Sequence, residues 1–357
     1  MRLLTRLASV PAALATLAVS GGTVIACAFH AYAPEETPVD KMLGSDHIVL
    51  AKQDPNDPFR FVAVSAIRGS LDDVELPHLV DSVSRRKLGL NPDDAVLFAR
   101  LGSYGPWERL AYLDEDYREL VAAVALRLED WQYGGDEERF QMFADRHQHE
   151  NPDIRQLALS ELDRAPYDLL RNLRFDPDAS LIARAMYRPE MADFMPIHVL
   201  LLGLSGDDAA RDLLNKGMDE ALIAQTSVFI GAWATALIEL DGTRAVDQLA
   251  QRLRADETLL PDTREALIEA FAIHSQAGDP EVQQYVVETV SSLLAEDAMY
   301  AGMVARQMGS RGDWSQAETL ATLKENGQLR SATALISVSH YLSFAQDAAA
   351  LTATTSN

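Results

Sequence analysis

The sequence predicts a mainly α-helical chain: a solenoid of helix pairs preceded by a small β-rich domain. Three observations lead there. Helix openings built from Gly and Asp recur at Gly206-Asp207, Asp241-Gly242, Gly278-Asp279 and Gly312-Asp313, with the aspartates 34, 38 and 34 residues apart. An amphipathic stretch follows each opening, as in Val282, Val286, Val290 and Leu293. Between Asp46 and Tyr112, by contrast, apolar residues form short runs and alternations divided by turn clusters. A helix pair repeated at this period marks a stacked-repeat fold, because one pair alone cannot bury its apolar face.

Residues 1–26 read as an export signal. Arg2 and Arg6 form a basic opening, and Leu7 to Ala26 is uncharged, apolar or small, interrupted by Pro11, Gly21 and Gly22. Cys27, the single cysteine, follows directly. Two readings of processing stand side by side. Val24-Ile25-Ala26-Cys27 resembles the lipobox of bacterial lipoproteins, with Val24 where leucine is usual; a lipid on Cys27 would then tether the protein, each buried methylene contributing about 0.8 kcal/mol. Alternatively, a small-x-small cut before Cys27, or at Ala26-Cys27-Ala28 or Ala31-Tyr32-Ala33, releases a soluble periplasmic protein. A lone cysteine cannot bridge within the chain, so the fold rests on its core. An apolar content of 48% suits a globular protein rather than a disordered one.

The formal net charge is −23, and loss of the two signal arginines makes it −25. Such a surface repels phosphate backbones and anionic lipid, which argues against nucleic-acid binding and against membrane contact other than through Cys27.

Residues 27–45 read as a linker and 46–112 as the β-rich domain. His47 to Ala51 is a short apolar run, and Phe59 to Val64 alternates after the turn cluster Gln53 to Pro58. Ala95 to Ala99 and Trp107 to Tyr112 form a second pair around Gly102 to Pro106, so the four strands suggest a small sheet or barrel. The polar segment Leu71 to Leu90 reads as a short helix or a mobile loop. It carries Ser84-Arg85-Arg86-Lys87, the one concentrated positive run of the mature chain.

Residues 113–345 read as the repeat domain and 346–357 as a disordered tail. Leu120, Val121, Val124, Leu128 and Trp131 share one helical face, and a new helix follows Gly134-Gly135. Asn151 and Pro152 suit the cap and first turn of another. Asn151-Pro152-Asp153-Ile154-Arg155-Gln156-Leu157-Ala158 resembles the second helix of HEAT repeats, with weaker versions at Pro261 to Ala266 and Asp279 to Val282. From Asp114 to Phe344 the chain is similar to bacterial exported HEAT-repeat proteins. That resemblance implies a solenoid with a concave protein-binding surface and no catalytic residues. The β-rich segment is similar to netrin-like modules, whose first cysteine is disulfide-bonded where Cys27 has no partner in the chain.

Asp145, His147 and His149, within Asp145 to Glu150, make the one compact set of metal-ligand residue types. Histidines two apart diverge on a helix but converge in an extended loop. The same residues also suit a helix C-terminus, where histidine is favoured by the helix dipole. Nucleophile elbows, phosphate loops and His-Glu-x-x-His are lacking. Met191 to Leu204 reads as a central helix buried on several sides, and Trp131, Trp233 and Trp314 as packing residues. The functional expectation is an exported, non-enzymatic scaffold, without a cofactor, binding an envelope protein; the alternative is a metal-binding protein or metalloenzyme using Asp145, His147 and His149.

Overall fold

The computed structural model describes residues 34–72, 74–225 and 227–355. The export signal, Cys27 and the proposed cleavage sites lie outside the described residues. Among the described residues no helix is long and apolar enough to cross a membrane.

The expected linker is partly a helix. Thr37 and Asp40 cap each other reciprocally, Pro38 occupies the first turn, and α1 (Pro38–Gly44) buries Val39 and Met42. Strands β1 (His47–Gln53) and β2 (Phe61–Arg68) pair antiparallel. Helix α2 (Ser82–Leu90), capped by Asp81, then precedes β3 (Ala95–Arg100) and β4 (Glu108–Leu113). The order β2-β1-β3-β4 is an open sheet rather than a barrel, since β2 and β4 are its edges.

Both faces of this sheet are covered, which explains the unbroken apolar runs of β1 and β3. Val49, Ala51, Phe61, Val96 and Phe98 pack under Leu76, Val80 and Leu88. The polar Leu71 to Leu90 segment is therefore a packed cover, fastened by a few well-placed apolar residues. Arg85 of its basic run lies 4.9 Å from the Phe59 ring centre and Lys87 4.7 Å from that of Tyr112.

On the opposite face, Ile48, Leu97, Ala99 and Leu113 join a core shared with α1, α3 (Glu115–Ala125), α4 (Leu128–Gln132), α5 (Asp136–Ala144) and α6 (Pro152–Arg164). The expected boundary between residues 112 and 113 thus crosses a continuous core. Asn151 caps α6 through Asp153 N and donates 2.8 Å to Asp114, which itself caps α3.

The second half follows the helix-pair pattern. After α7 (Tyr167–Asn172) and α8 (Ala179–Met186), the chain alternates between two layers. These helices are α9 (Met195–Leu204), α10 (Asp208–Ala224), α11 (Ser227–Asp241), α12 (Thr243–Ala255), α13 (Pro261–Ala277), α14 (Pro280–Glu296), α15 (Ala301–Gly309), α16 (Ala317–Glu325) and α17 (Ala332–Thr355). α9, α11, α13, α15 and α17 pack in succession, while α12, α14 and α16 form the other layer. At the α9–α11 crossing the helices touch so closely that a Cβ on Gly203 would lie 2.7 Å from the Ala236 Cα. α17 continues through the expected disordered tail as far as Thr355, because an alanine-rich stretch without Gly or Pro has no helix breaker.

The four Gly/Asp openings do precede helices, namely α10, α12, α14 and α16, yet their aspartates act in different ways. Asp207 caps α10 through Ala209 N, and Asp313 accepts from Ser315 N ahead of α16. Asp241 instead pairs with Arg211 and Arg244, and Asp279 pairs with Arg171 of α7. Long-range arginines have taken over what local chemistry assigns to capping.

Candidate functional site

The expected metal cluster is laid out along a helix end and does not converge. α5 stops at Ala144, and tight turns carry the chain from Asp145 to Asn151. Asp145 accepts 2.9 Å from Gln141, within one helical turn. His147 donates through Nδ1 to the Ala144 carbonyl at 2.7 Å, and His149 Nδ1 accepts from Asn151 N at 3.1 Å. Among the described residues no group of three or more His, Cys, Asp and Glu side chains could hold a metal ion.

The structure brings His147 together with other residues. A cleft of about 410 Å³ opens between α6, α8 and α9. Leu159, Ile182, Met191 and Leu201, all buried, form its apolar floor. Arg155, Arg184 and Arg188 line it from α6, from α8 and from the residues just after α8, and neither Asp nor Glu lines it. Arg155 is steadied by the His149 carbonyl at 2.6 Å, and Arg184 by the Ser180 carbonyl at 3.1 Å. Neither bond neutralises the guanidinium charge.

His147 and His198 complete the lining. Burial lowers both imidazole pKa values, that of His198 to about 4, so both rings are neutral at pH 7. With its Nδ1 proton held by Ala144, neutral His147 presents Nε2 as a bare acceptor, and this buried atom has no hydrogen-bond partner. His198 is 3% exposed, and its ring is directed to the Phe194 backbone one turn earlier. An unsatisfied nitrogen such as His147 Nε2 costs free energy unless something completes it.

No family model matches the chain, and no curated protein or solved structure matches it.

Met191 to Leu204 was legible as a buried apolar helix, but the approach of its His198 to His147 was not, with fifty positions between them. Arg184 and Arg188 drew no attention in the sequence. Their spacing of four around Ile182 and Ala185 was the available signal, since it puts two cations beside one apolar face.

A second feature lies at the end of the stack. On α17, Ile336, His340, Phe344, Asp347 and Leu351 fall on one helical face and are exposed, Ile336 at 69% and Leu351 at 70%. Phe344 stacks on Trp314 and meets His340 edge-on. Trp131 and Trp233 are buried and Trp314 is partly covered, so the three tryptophans are packing residues. The middle of the first layer is closed too: α7 packs on α13, and α6 and α8 pack on α9.

Proposed function

We propose that this chain is an exported, non-enzymatic scaffold of the bacterial envelope, with HEAT-like helix pairs that present a surface to a protein partner. The observation that carries this reading is the apolar stripe on α17. A terminal repeat normally turns a polar face outward, because nothing stacks beyond it. Here Ile336, Phe344 and Leu351 occupy that face, with the carboxylate of Asp347 between the last two. Burying them against a partner would contribute roughly 1.5–3 kcal/mol for each side chain fully covered. The closed middle of the first layer directs the partner to this end of the stack rather than to a concave groove. The first 27 residues supply the address, with Cys27 as the acylated or merely exported start of the mature protein.

The test is site-specific photo-crosslinking in cells of the source organism. A crosslinker at position 336 or 344 should give a discrete protein adduct, whereas one at Gln284, exposed on α14, should not. The paired change Ile336→Glu and Phe344→Glu should abolish an adduct formed through position 351. Equal labelling at all positions, or none along the stripe, would overturn the reading.

A further inference from the structure

We infer that the cleft between α6, α8 and α9 binds a small organic acid that combines an apolar body, a carboxylate and a nearby hydroxyl or amide donor. This goes beyond the scaffold reading and does not depend on it.

The charge distribution supplies the first reason. The chain has 54 acidic and 31 basic residues, yet this cleft is lined by Arg155, Arg184 and Arg188 without one carboxylate. None of the three forms an ion pair in the described structure, whereas arginines elsewhere repeatedly do. Two other clefts make the contrast plain. One sets Arg127, Arg146 and Arg174 against Glu137, Glu138 and Asp145; another sets Arg252 against Asp219 and Asp256. Asp178, the cap of α8, lies outside the lining but near enough to Arg184 to interact with it; three arginines against this one carboxylate still leave a positive field for an anion, and the planar guanidinium fork matches a carboxylate.

The floor supplies the second reason. Leu159, Ile182, Met191 and Leu201 would hold an apolar body, and about 410 Å³ lies within the range of small-ligand sites. A bare inorganic anion would leave this surface unused.

A histidine supplies the third. His147 Nε2 is a buried acceptor awaiting an N–H or O–H, so the ligand should carry a donor beside its acid group.

Isothermal titration of the purified protein with 3-hydroxydecanoate, decanoate and 1,3-decanediol tests each element. The hydroxy acid should bind at one saturable site. Decanoate, lacking the donor, and the diol, lacking the charge, should each bind about tenfold or more weakly, as expected for loss of a buried or charge-assisted hydrogen bond. The paired change Arg184→Ala and Arg188→Ala, at exposed positions, should weaken the hydroxy acid at least tenfold with an unchanged circular dichroism spectrum. Arg252→Ala in the other cleft, and the paired stripe change on α17, should leave it unaltered. Lack of saturable binding at millimolar ligand, equal binding of the diol, or an unaffected arginine variant would overturn the proposal. Equal binding of decanoate would overturn the assignment of His147 as acceptor.

Discussion

The sheet half and the helical stack both pair cations with carboxylates, as in Lys41–Glu108 and Arg109–Asp81 around the sheet, but they differ in the use of aromatic rings. Around the sheet, several cations lie over aromatic rings: Arg85 over Phe59, Lys87 over Tyr112 and Arg100 over Trp107. Across the stack, arginines reach from one helix to a carboxylate on another, as in Arg211–Asp241, Arg252–Asp219, Arg254–Glu296 and Arg306–Glu265. A sheet face lined with aromatic residues offers electron-rich rings, whereas stacked helices offer charged flanks at a regular spacing. The same side chain is therefore exposed to ionic strength in an ion pair and partly sheltered from it over a ring.

Where the halves meet, the chemistry differs from both. Arg139 is buried, bonds Glu161 and Asp40 at 2.7 Å each, and Asp40 also pairs with Arg164. Thr37 donates a hydrogen bond to Glu161 as well. Burial raises the Glu161 pKa against the pull of Arg139; at Asp40 burial acts upward too, but Arg139 and the Thr37 amide outweigh it and hold the carboxyl below its usual value. The largest expected effect is therefore at this seam. Arg139→Ala should destabilise the protein by about 3–5 kcal/mol, because it strands a buried carboxylate. Urea melts monitored separately in the sheet and the stack would show whether the two transitions then part.

A somewhat smaller effect singles out the stack. His274 of α13 is buried, with Nε2 2.9 Å from the Thr235 carbonyl, and burial pushes its pKa down to about 4. The unfolded chain takes up a proton near pH 6.5 that the folded chain refuses. Its contribution is thus fully present above pH 6.5 and lost as the pH falls toward 4, by roughly 3 kcal/mol in all. His198 acts in the same direction. Hydrogen exchange at pH 7 and pH 5 should show protection falling mainly in α9, α11 and α13. A His274→Leu variant should show a shallower pH dependence; an unchanged slope would remove His274 from the account.

The smallest effect tests the contrast itself. Arg85→Ala should cost about 0.5–1 kcal/mol at low and high salt alike. Arg252→Ala, which breaks a pair whose side chains are about half exposed, should cost less than about 1 kcal/mol at low salt and nothing measurable in 0.5 M salt. Matching salt profiles for the two variants would erase the distinction.

The repeat spacing, the capped start of α6 and the short apolar runs of the sheet were all legible, since each follows from local periodicity. Features set by distant partners were not. Leu76, Val80 and Leu88 show no strand or helix pattern, yet they cover a whole sheet face. Asp241 and Asp279 look like caps until Arg211 and Arg171 arrive from other helices. The cleft was hidden for the same reason: Arg155, Arg184 and His198 come from three helices, and His147 carries the wrong hint when read beside His149 alone.

The seam has one further consequence, for orientation. Arg164 also donates to the carbonyls of Pro34 and Glu35, at 3.2 and 3.3 Å, so the chain is held at the junction from its first described residues. From Cys27 to Pro34 the backbone reaches roughly 25 Å at full stretch. An acyl anchor at Cys27 would thus keep this junction, rather than either end of the described chain, within about that distance of the bilayer.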